Sequence, residues 1–244
     1  MRIPRIYLNA NLSRGLEMTL PKEQSHYLST VLRIKNNQTI ILFNGSGGQF
    51  EACITDVSKK TVSVKILDFT PDKTESLLSI ELGQGISRGE RMDYTIQKSV
   101  ELGVSSITPL FTQRCNVKLN DDRLQKRVDH WTKVMISAGE QSGRCILPTI
   151  NPPQLLHDWF RSLEKENNRL RLICDPCASN KISTLRKSLS VSLCIGPEGG
   201  LTNDEIKQAI QSGFSSITLG PRILRTETAA ITALSVLQAL WGDL

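Results

Sequence analysis

Several runs within residues 1–70 place apolar side chains at every second position, which is the period of a β-strand. In the run TVSVKILDF, polar residues separate Val62, Val64 and Ile66, and this alternation predicts a strand with one buried face. Two further β-rich runs flank the sequence NGSGG, where the Asn-Gly step favours positive φ angles and so indicates a hairpin. This part of the chain is predicted to form a small β-barrel.

One segment in this region has the period of a helix instead. It reads PKEQSHYLSTVLRI, and an α-helix there turns Tyr27 and Val31 inward, with Leu28 and Leu32 as further candidates for the buried face. The prediction is therefore a barrel interrupted by one short helix.

The pattern changes after the polar, proline-containing run TPDKTESL, residues 70–77, which we interpret as a linker. Beyond it, strand-like apolar runs alternate with amphipathic helical ones, which predicts a mostly parallel sheet covered by helices. The expected organisation is a β-barrel domain over residues 1–71 and an α/β domain over residues 72–244. The clearest helix has a stripe of apolar residues at spacings of four and three: Leu124, Val128, Trp131, Met135 and Ala138.

Composition excludes some classes of protein. Hydrophobic residues make up 39% of the chain, and no apolar run approaches the roughly 20 residues that a membrane span needs. The first residues, MRIPRIYLNANLSRG, lack the apolar centre of a signal peptide, so we expect a cytoplasmic protein without membrane partners. The net charge of +6 mildly favours a nucleic-acid partner, because basic side chains displace phosphate counterions.

The six cysteines offer little chemistry. Cys174 and Cys177 form a CDPC pair, but a zinc site needs a second pair or histidines at ligand spacing, and neither is visible. We therefore expect no metal and treat His26 as a structural polar residue. A redox pair stays open, although buried or loop thiols in a reducing compartment are the favoured interpretation.

A glycine-rich turn follows an apolar run in LCIGPEGGLTNDEI, residues 193–206. Thr202 and Glu205 have the spacing of a capping box, so a helix is predicted to start there. Ligands of parallel sheets bind beyond the carboxyl ends of the strands, which makes this turn a candidate binding loop, although glycine also serves turn geometry alone. The turn lacks the P-loop and dinucleotide patterns, and Glu198 within it opposes phosphate binding.

A second Gly-Pro turn follows the next strand, within TLGPRILRTETAA. Thr226 is placed to cap a helix that is apolar on almost every side, so that helix is predicted to be buried or to lie in a subunit interface. Two such turns at neighbouring strand ends predict a pocket walled by main-chain groups. Such groups can bind adenine without a charged side chain.

The motifs IGPEGGLTNDE and LGPRILRTETAA, in this order, resemble the signature of the RsmE family of 16S ribosomal RNA uridine-N3 methyltransferases, in the SPOUT superfamily. The runs HYLSTVLRI, IQKSVELGVSSITPL and GEQSGR agree, and the resemblance covers nearly the whole chain. It implies a PUA-like RNA-binding β-barrel followed by a SPOUT α/β domain tied in a trefoil knot. It also implies S-adenosylmethionine (SAM) as cofactor, a homodimer, and 16S rRNA of the small ribosomal subunit as substrate.

The resemblance further implies which residues form the site. The matching cofactor-binding positions are Ile173, Cys174, Ile195, Gly196, Pro197, Glu198, Gly199, Leu219, Gly220, Ile223, Leu224 and Arg225. Methylation at N3 of uridine requires alignment with the sulfonium methyl group and loss of a proton, which leaves negative charge on the flanking carbonyl oxygens. The catalytic candidates are Arg225 for that charge, and Glu198, Glu140 and Glu227 for orientation or as base. The RNA-binding candidates are Arg33, Arg114 and Arg144.

Alternatives stay open for these residues. Arg225 could instead bind phosphate or pair with Glu227, and Glu140 and Arg144, four residues apart, could form an ordinary helix-end pair. Cys115 stands where the family pattern has a small hydroxyl residue. Two rival functions also remain: a SAM-dependent methyltransferase for another base or RNA, and a non-catalytic RNA-binding protein.

Overall fold

The computed structural model describes residues 3–58, 60–115, 121–164 and 168–244. Its internal contacts divide the chain into two compact units. The first comprises Met1–Glu75 and Gly139–Leu147, and the second comprises Ser76–Ala138 and Pro148–Leu244. Within the described residues, no helix combines the length and apolar character needed to cross a membrane.

The first unit is built on a five-stranded sheet in the order β1-β3-β4-β5-β2. Its strands are β1 (Arg5–Tyr7), β2 (Glu17–Thr19), β3 (Thr39–Phe43), β4 (Gly48–Val57) and β5 (Val62–Pro71). The predicted hairpin is confirmed, because β3 and β4 pair antiparallel on either side of the glycine-rich turn. The predicted buried face of β5 is also confirmed, since Val62, Val64 and Ile66 are each at most 1% exposed.

The helical segment of this unit departs from the prediction. Helix α1 (Lys22–His26) continues into a π-helical turn (Tyr27–Val31), closed by a 3.0 Å hydrogen bond from the Leu32 N–H to the Tyr27 carbonyl. Leu28 is fully buried, whereas Tyr27, Val31 and Leu32 are exposed, so their predicted inward orientation is wrong. The wider π turn changes the angular spacing of side chains from that of the α-helix assumed in the prediction.

The second unit contains a seven-stranded sheet in the order β12-β10-β11-β6-β7-β8, with β9 also pairing with β7. The predicted parallel sheet is confirmed, because each of these pairs is parallel. Its strands are β6 (Ser79–Gly85), β7 (Ser106–Phe111), β8 (Thr149–Ile150), β9 (Gln154–Leu155), β10 (Leu170–Cys174), β11 (Ser190–Ile195) and β12 (Ser215–Ile217).

The described residues form five further α-helices. They are α2 (Glu90–Glu101), α3 (Asp121–Ser142), α4 (Leu156–Leu163), α5 (Asn203–Gln211) and α6 (Thr226–Trp241). In the predicted stripe of α3, Trp131, Met135 and Ala138 are buried. Both halves of the predicted capping box at the start of α5 are present. That box fixes where the chain turns from β11 into α5, and this turn lines the cavity described below.

Candidate active site

A cavity of about 590 Å³ lies at the carboxyl ends of β10, β11 and β12. The loops that follow these three strands supply most of its wall. Small-molecule sites commonly have volumes of roughly 300–1,000 Å³, and open parallel sheets bind ligands at this end of their strands. Both the size and the position of the cavity therefore suit a small cofactor.

The structure brings together at this cavity the predicted cofactor-binding residues, with the exception of Ile173. Ile173 is fully buried within β10, one position before the residue that reaches the wall. The predicted residues that do line the cavity are Cys174, Ile195, Gly196, Pro197, Glu198, Gly199, Leu219, Gly220, Ile223, Leu224 and Arg225.

The glycine turn after β11 is held by two side chains, Arg114 from the loop after β7 and Glu205 from α5. Arg114 donates from Nη1 to the carbonyl oxygens of Gly199, at 3.1 Å, and Leu201, at 3.4 Å. The buried Glu205 carboxylate accepts 2.8 Å hydrogen bonds from the N–H groups of Thr202 and Gln113. Arg114, a predicted RNA contact, thus contacts the turn itself. The capping box predicts the bond that Glu205 accepts from Thr202, but no sequence signal predicts the bond that it accepts from the Gln113 N–H.

Glu198 accepts hydrogen bonds from the loop between β6 and α2 and from the first turn of α2. Its Oε1 accepts hydrogen bonds from the Arg88 N–H at 2.9 Å and from Arg91 Nη1 at 3.2 Å. Partial burial raises the pKa of Glu198. A larger lowering comes from hydrogen bonds donated by the N–H groups of Arg88 and of Glu198 itself and from the Arg91 guanidinium. The pKa therefore lies below its ordinary value of 4.5, which makes this carboxylate a weak proton acceptor.

An open groove of about 890 Å³ shares part of its wall with the cavity. Arg225 and Glu227 line both spaces, so they lie where the cavity and the groove meet. Among the described residues, Oε2 of Glu227 is buried without a hydrogen-bond partner, and no ion pair joins Glu227 to Arg225. Arg225 is exposed and precedes α6 as its N-cap residue.

Thr226 does not cap α6 as predicted, because the helix begins at Thr226 itself and its N-cap residue, Arg225, makes no side-chain cap bond. The Thr226 hydroxyl instead donates a 2.6 Å hydrogen bond to the Gly196 carbonyl, in the first Gly-Pro turn. A cap signal in sequence cannot show that a hydroxyl has a nearer acceptor in another loop.

Comparisons with known proteins agree with this geometry. A family model described as an RNA methyltransferase domain matches residues 74–238, and one described as an RNA methyltransferase PUA domain matches residues 20–67. Ribosomal RNA small subunit methyltransferase E of Buchnera aphidicola subsp. Schizaphis graminum is 40% identical, over 100% of this chain and 98% of that protein. The chain belongs to the ribosomal RNA small subunit methyltransferase E family.

Two solved structures extend the comparison. Ribosomal RNA small subunit methyltransferase E from Neisseria gonorrhoeae, bound to S-adenosyl methionine, is 41% identical with a TM-score of 0.93 over 100% of both chains. A methyltransferase from Legionella pneumophila, solved with the bound cofactor SAM, is 42% identical with a TM-score of 0.95, also over 100% of both chains. The predicted family and its two-part fold, a PUA-like unit and an α/β methyltransferase unit, are thereby confirmed.

Two predicted site residues of this methyltransferase lie elsewhere. Glu140 and Arg144 belong to the first unit, and neither lines the cavity. Arg144 is 5% exposed and donates from Nε and Nη2 to the two carboxylate oxygens of Glu75, at 2.8 and 2.7 Å. Glu140 accepts a 2.9 Å hydrogen bond from the Tyr7 N–H. Burial raises the pKa of Glu140, against the opposing influence of that N–H and of Arg5.

We expect the Glu75–Arg144 pair to stabilise the first unit. Glu75→Ala should lower the free energy of unfolding by about 2 kcal/mol, because the buried guanidinium loses this carboxylate. The value is discounted because the Glu75 side chain is 26% exposed and partly screened by solvent. Urea denaturation measures it, with Glu17→Ala as control, since the exposed Glu17–Lys65 pair should contribute little. Unchanged stability with weaker RNA binding would instead support the RNA-binding prediction for Arg144.

The remaining predicted residues have distinct settings. Arg33 follows the π-helical turn, is exposed, and has a φ angle of +52°, which is unusual for a residue other than glycine. Cys115 donates from Sγ to the Ile86 carbonyl at 3.4 Å.

Burial, aided by the charge of Asp175, raises the pKa of the Cys174 thiol to about 12, which disfavours redox chemistry at the CDPC pair. Among the described residues, no group of three or more His, Cys, Asp or Glu side chains could hold a metal ion.

Proposed function

We propose that this methyltransferase transfers the methyl group of SAM to N3 of a specific uridine in 16S rRNA. The observation that carries the proposal is the cavity at the ends of β10, β11 and β12, whose wall contains both Gly-Pro turns of the sequence motifs. Relatives of similar length are named ribosomal RNA small subunit methyltransferase E, and two solved relatives contain SAM.

The cofactor is proposed to lie in this cavity, held mainly by the loop residues that line it. Apolar contacts come from side chains such as Leu219 and Leu224, while the glycines of the two turns let main-chain groups approach the adenosyl moiety. The bound cofactor supplies an electrophilic methyl group. The protein's own residues must then orient the uridine and stabilise its deprotonated form.

For that step we propose Arg225 as the group that stabilises negative charge on the uridine carbonyl oxygens. Glu227 is proposed as the proton acceptor. Of the three carboxylates considered, Glu140 lies in the first unit, and Glu198 already accepts hydrogen bonds from Arg88 and Arg91. Glu227 lines the cavity and has an unpartnered carboxylate oxygen within the described structure.

RNA binding is proposed to involve both units separately. Four arginines line the cavity of the second unit: Arg91, Arg114, Arg222 and Arg225. In the first unit, Arg33 is exposed beside the π-helical turn, whose Tyr27 side chain is 42% exposed and available to stack on a base. Exposed arginines suit RNA because they pair with phosphates and stack on bases.

We also propose a homodimer, a trefoil-knotted second unit and a cytoplasmic location. Helix α6 supports the dimer, because its apolar residues Ile231 and Val236 are partly exposed and Leu240 is 44% exposed. Light scattering at micromolar concentration should give the mass of two chains, and a monomer would contradict the interface. The chain path in an experimental structure would test the knot.

A calorimetric titration with SAM tests the function and its main rival together. We expect binding with a stoichiometry of one per chain, whereas a non-catalytic RNA-binding protein should give no heat. The purified enzyme should then methylate 16S rRNA or small subunits from cells that lack this modification. Mass spectrometry should place the methyl group on N3 of one uridine. A methyl group on another base would overturn the proposed substrate.

A further inference from the structure

Strand β6 has one fully buried polar side chain. Gln84 is fully buried, next to the end of the strand, and is in register with Ile195 on β11. It does not line the cavity, so a role for it cannot come from direct contact with a ligand there. Its hydrogen bonds nevertheless lead to the cavity wall.

Gln84 is the first member of a hydrogen-bonded relay between two loops. Its Nε2 donates to the Thr226 hydroxyl at 2.9 Å, and that hydroxyl donates to the Gly196 carbonyl at 2.6 Å. A hydroxyl has one proton, so its donation to Gly196 leaves it to accept from Gln84. Gly196 lies in the first Gly-Pro turn, and Thr226 directly follows the second turn's loop. The relay therefore links the loops after β11 and β12 to strand β6.

The other bonds of Gln84 fix the direction of its amide. Nε2 also donates to the Gly85 carbonyl at 3.1 Å, which uses its second proton. Oε1, however, is buried without a hydrogen-bond partner among the described residues. A buried unpaired acceptor destabilises the fold, and an apolar side chain of similar length would avoid that cost. A polar residue that weakens its own core in this way is expected where function requires it.

We propose that Gln84 is a positioning residue for cofactor binding, acting through Thr226 on Gly196 to hold the two cavity loops in register. The inference rests on the proposed cofactor site. Gln84 touches neither the cofactor nor the reacting atoms, so it should affect SAM affinity far more than the rate at saturation.

The test compares SAM affinity, kinetics and thermal stability in Gln84→Met and Thr226→Val. Methionine keeps the length of the side chain and removes both donors, and valine removes the hydroxyl. Each variant should raise the Kd and the KM for SAM about tenfold, with kcat within about twofold of the wild type. The melting temperature of Gln84→Met should stay level or rise, because the unpaired acceptor is gone. Thr226→Ser retains the hydroxyl and should bind SAM within about twofold of the wild type.

The double variant and a matched control distinguish a relay from a nonspecific effect of removing a buried hydrogen bond. If the two residues act through one relay, the double variant should be weakened about tenfold, not about a hundredfold. The control is Thr108→Val on β7: this threonine is also buried, and its hydroxyl accepts a 2.9 Å bond from the Asn151 amide, away from the cavity lining. It should leave SAM affinity unchanged.

The outcomes separate this inference from the proposed function. A wild-type protein that does not bind SAM would contradict the function itself. A wild type that binds SAM, with Gln84→Met unchanged in affinity, would overturn only the relay. Equal weakening in Thr108→Val, or a lower melting temperature that accounts for the loss, would also overturn it.

Discussion

Replacing Arg225 with alanine is expected to lower kcat by roughly 10²–10³-fold, while the KM for SAM rises by less than about tenfold. Uridine N3–H is only weakly acidic, and removing its proton places negative charge on the neighbouring carbonyl oxygens. A fixed guanidinium near those oxygens stabilises the transition state more than the bound substrate. The loss of such an interaction therefore lowers kcat and leaves the affinity for the substrate nearly unchanged. Single-turnover methylation at saturating SAM and RNA measures the effect directly.

Two variants make this result specific. Arg222→Ala removes a cavity-lining arginine from the same loop, and it should raise the KM for RNA with kcat within about threefold of the wild type. Arg225→Lys keeps the charge but not the planar fork, and it should recover only part of the lost rate. If Arg225→Ala and Arg222→Ala lose the same factor, and only in RNA affinity, then Arg225 is a phosphate contact.

Much of the cavity could be predicted because its signals are local. An apolar strand followed by Gly-Pro indicates where a parallel strand ends, and the capping box of Thr202 and Glu205 indicates where the next helix begins. The structure places both Gly-Pro turns on one cavity, as the two motifs predicted. Ile173 does not line the cavity, because its side chain is buried in the core, whereas Cys174, also predicted, lies at the wall.

The contacts that sequence could not predict are long-range in the chain. Glu140 and Arg144 have the spacing of a helical ion pair, but the structure gives them Tyr7 and Glu75 as partners. Arg114 likewise holds the turn at Gly199, a contact between residues 85 positions apart. Spacing along one element reveals neighbours within that element only, so charged residues whose partners come from other strands are assigned poorly.

One missed residue did carry a sequence signal. Gln84 is the fully buried polar residue of the run LSIELGQGI, which also contains the partly buried Ser79 and Glu81. A fully buried polar side chain requires a hydrogen-bond partner, so this residue predicts a buried polar contact at the end of the strand. The π-helical turn at Tyr27 had no comparable signal, because a wider turn leaves the composition of the segment unchanged.

Gly85→Ala should weaken SAM binding about a hundredfold without abolishing folding. A Cβ at this position would overlap the Pro197 nitrogen and lie 2.8 Å from the Gly196 carbonyl carbon, which is too close for either atom to stay in place. Both neighbours are main-chain atoms of the first Gly-Pro turn, so the turn must shift by about 1 Å. Displacements of that size in a binding site commonly cost a factor of about a hundred. Calorimetry with SAM measures the loss.

The same variant should lower the free energy of unfolding by about 1–3 kcal/mol, as expected for overpacking, and denaturation measures this separately. Gly15→Ala is the matched control: Gly15 has a φ of +83° and open space around its Cβ, so alanine adds backbone strain without touching the turn. If Gly15→Ala loses a similar amount of stability but keeps its SAM affinity, then the weaker SAM binding of Gly85→Ala comes from the displaced turn and not from lower stability. If Gly85→Ala bound SAM normally, the first Gly-Pro turn would not form the cofactor site.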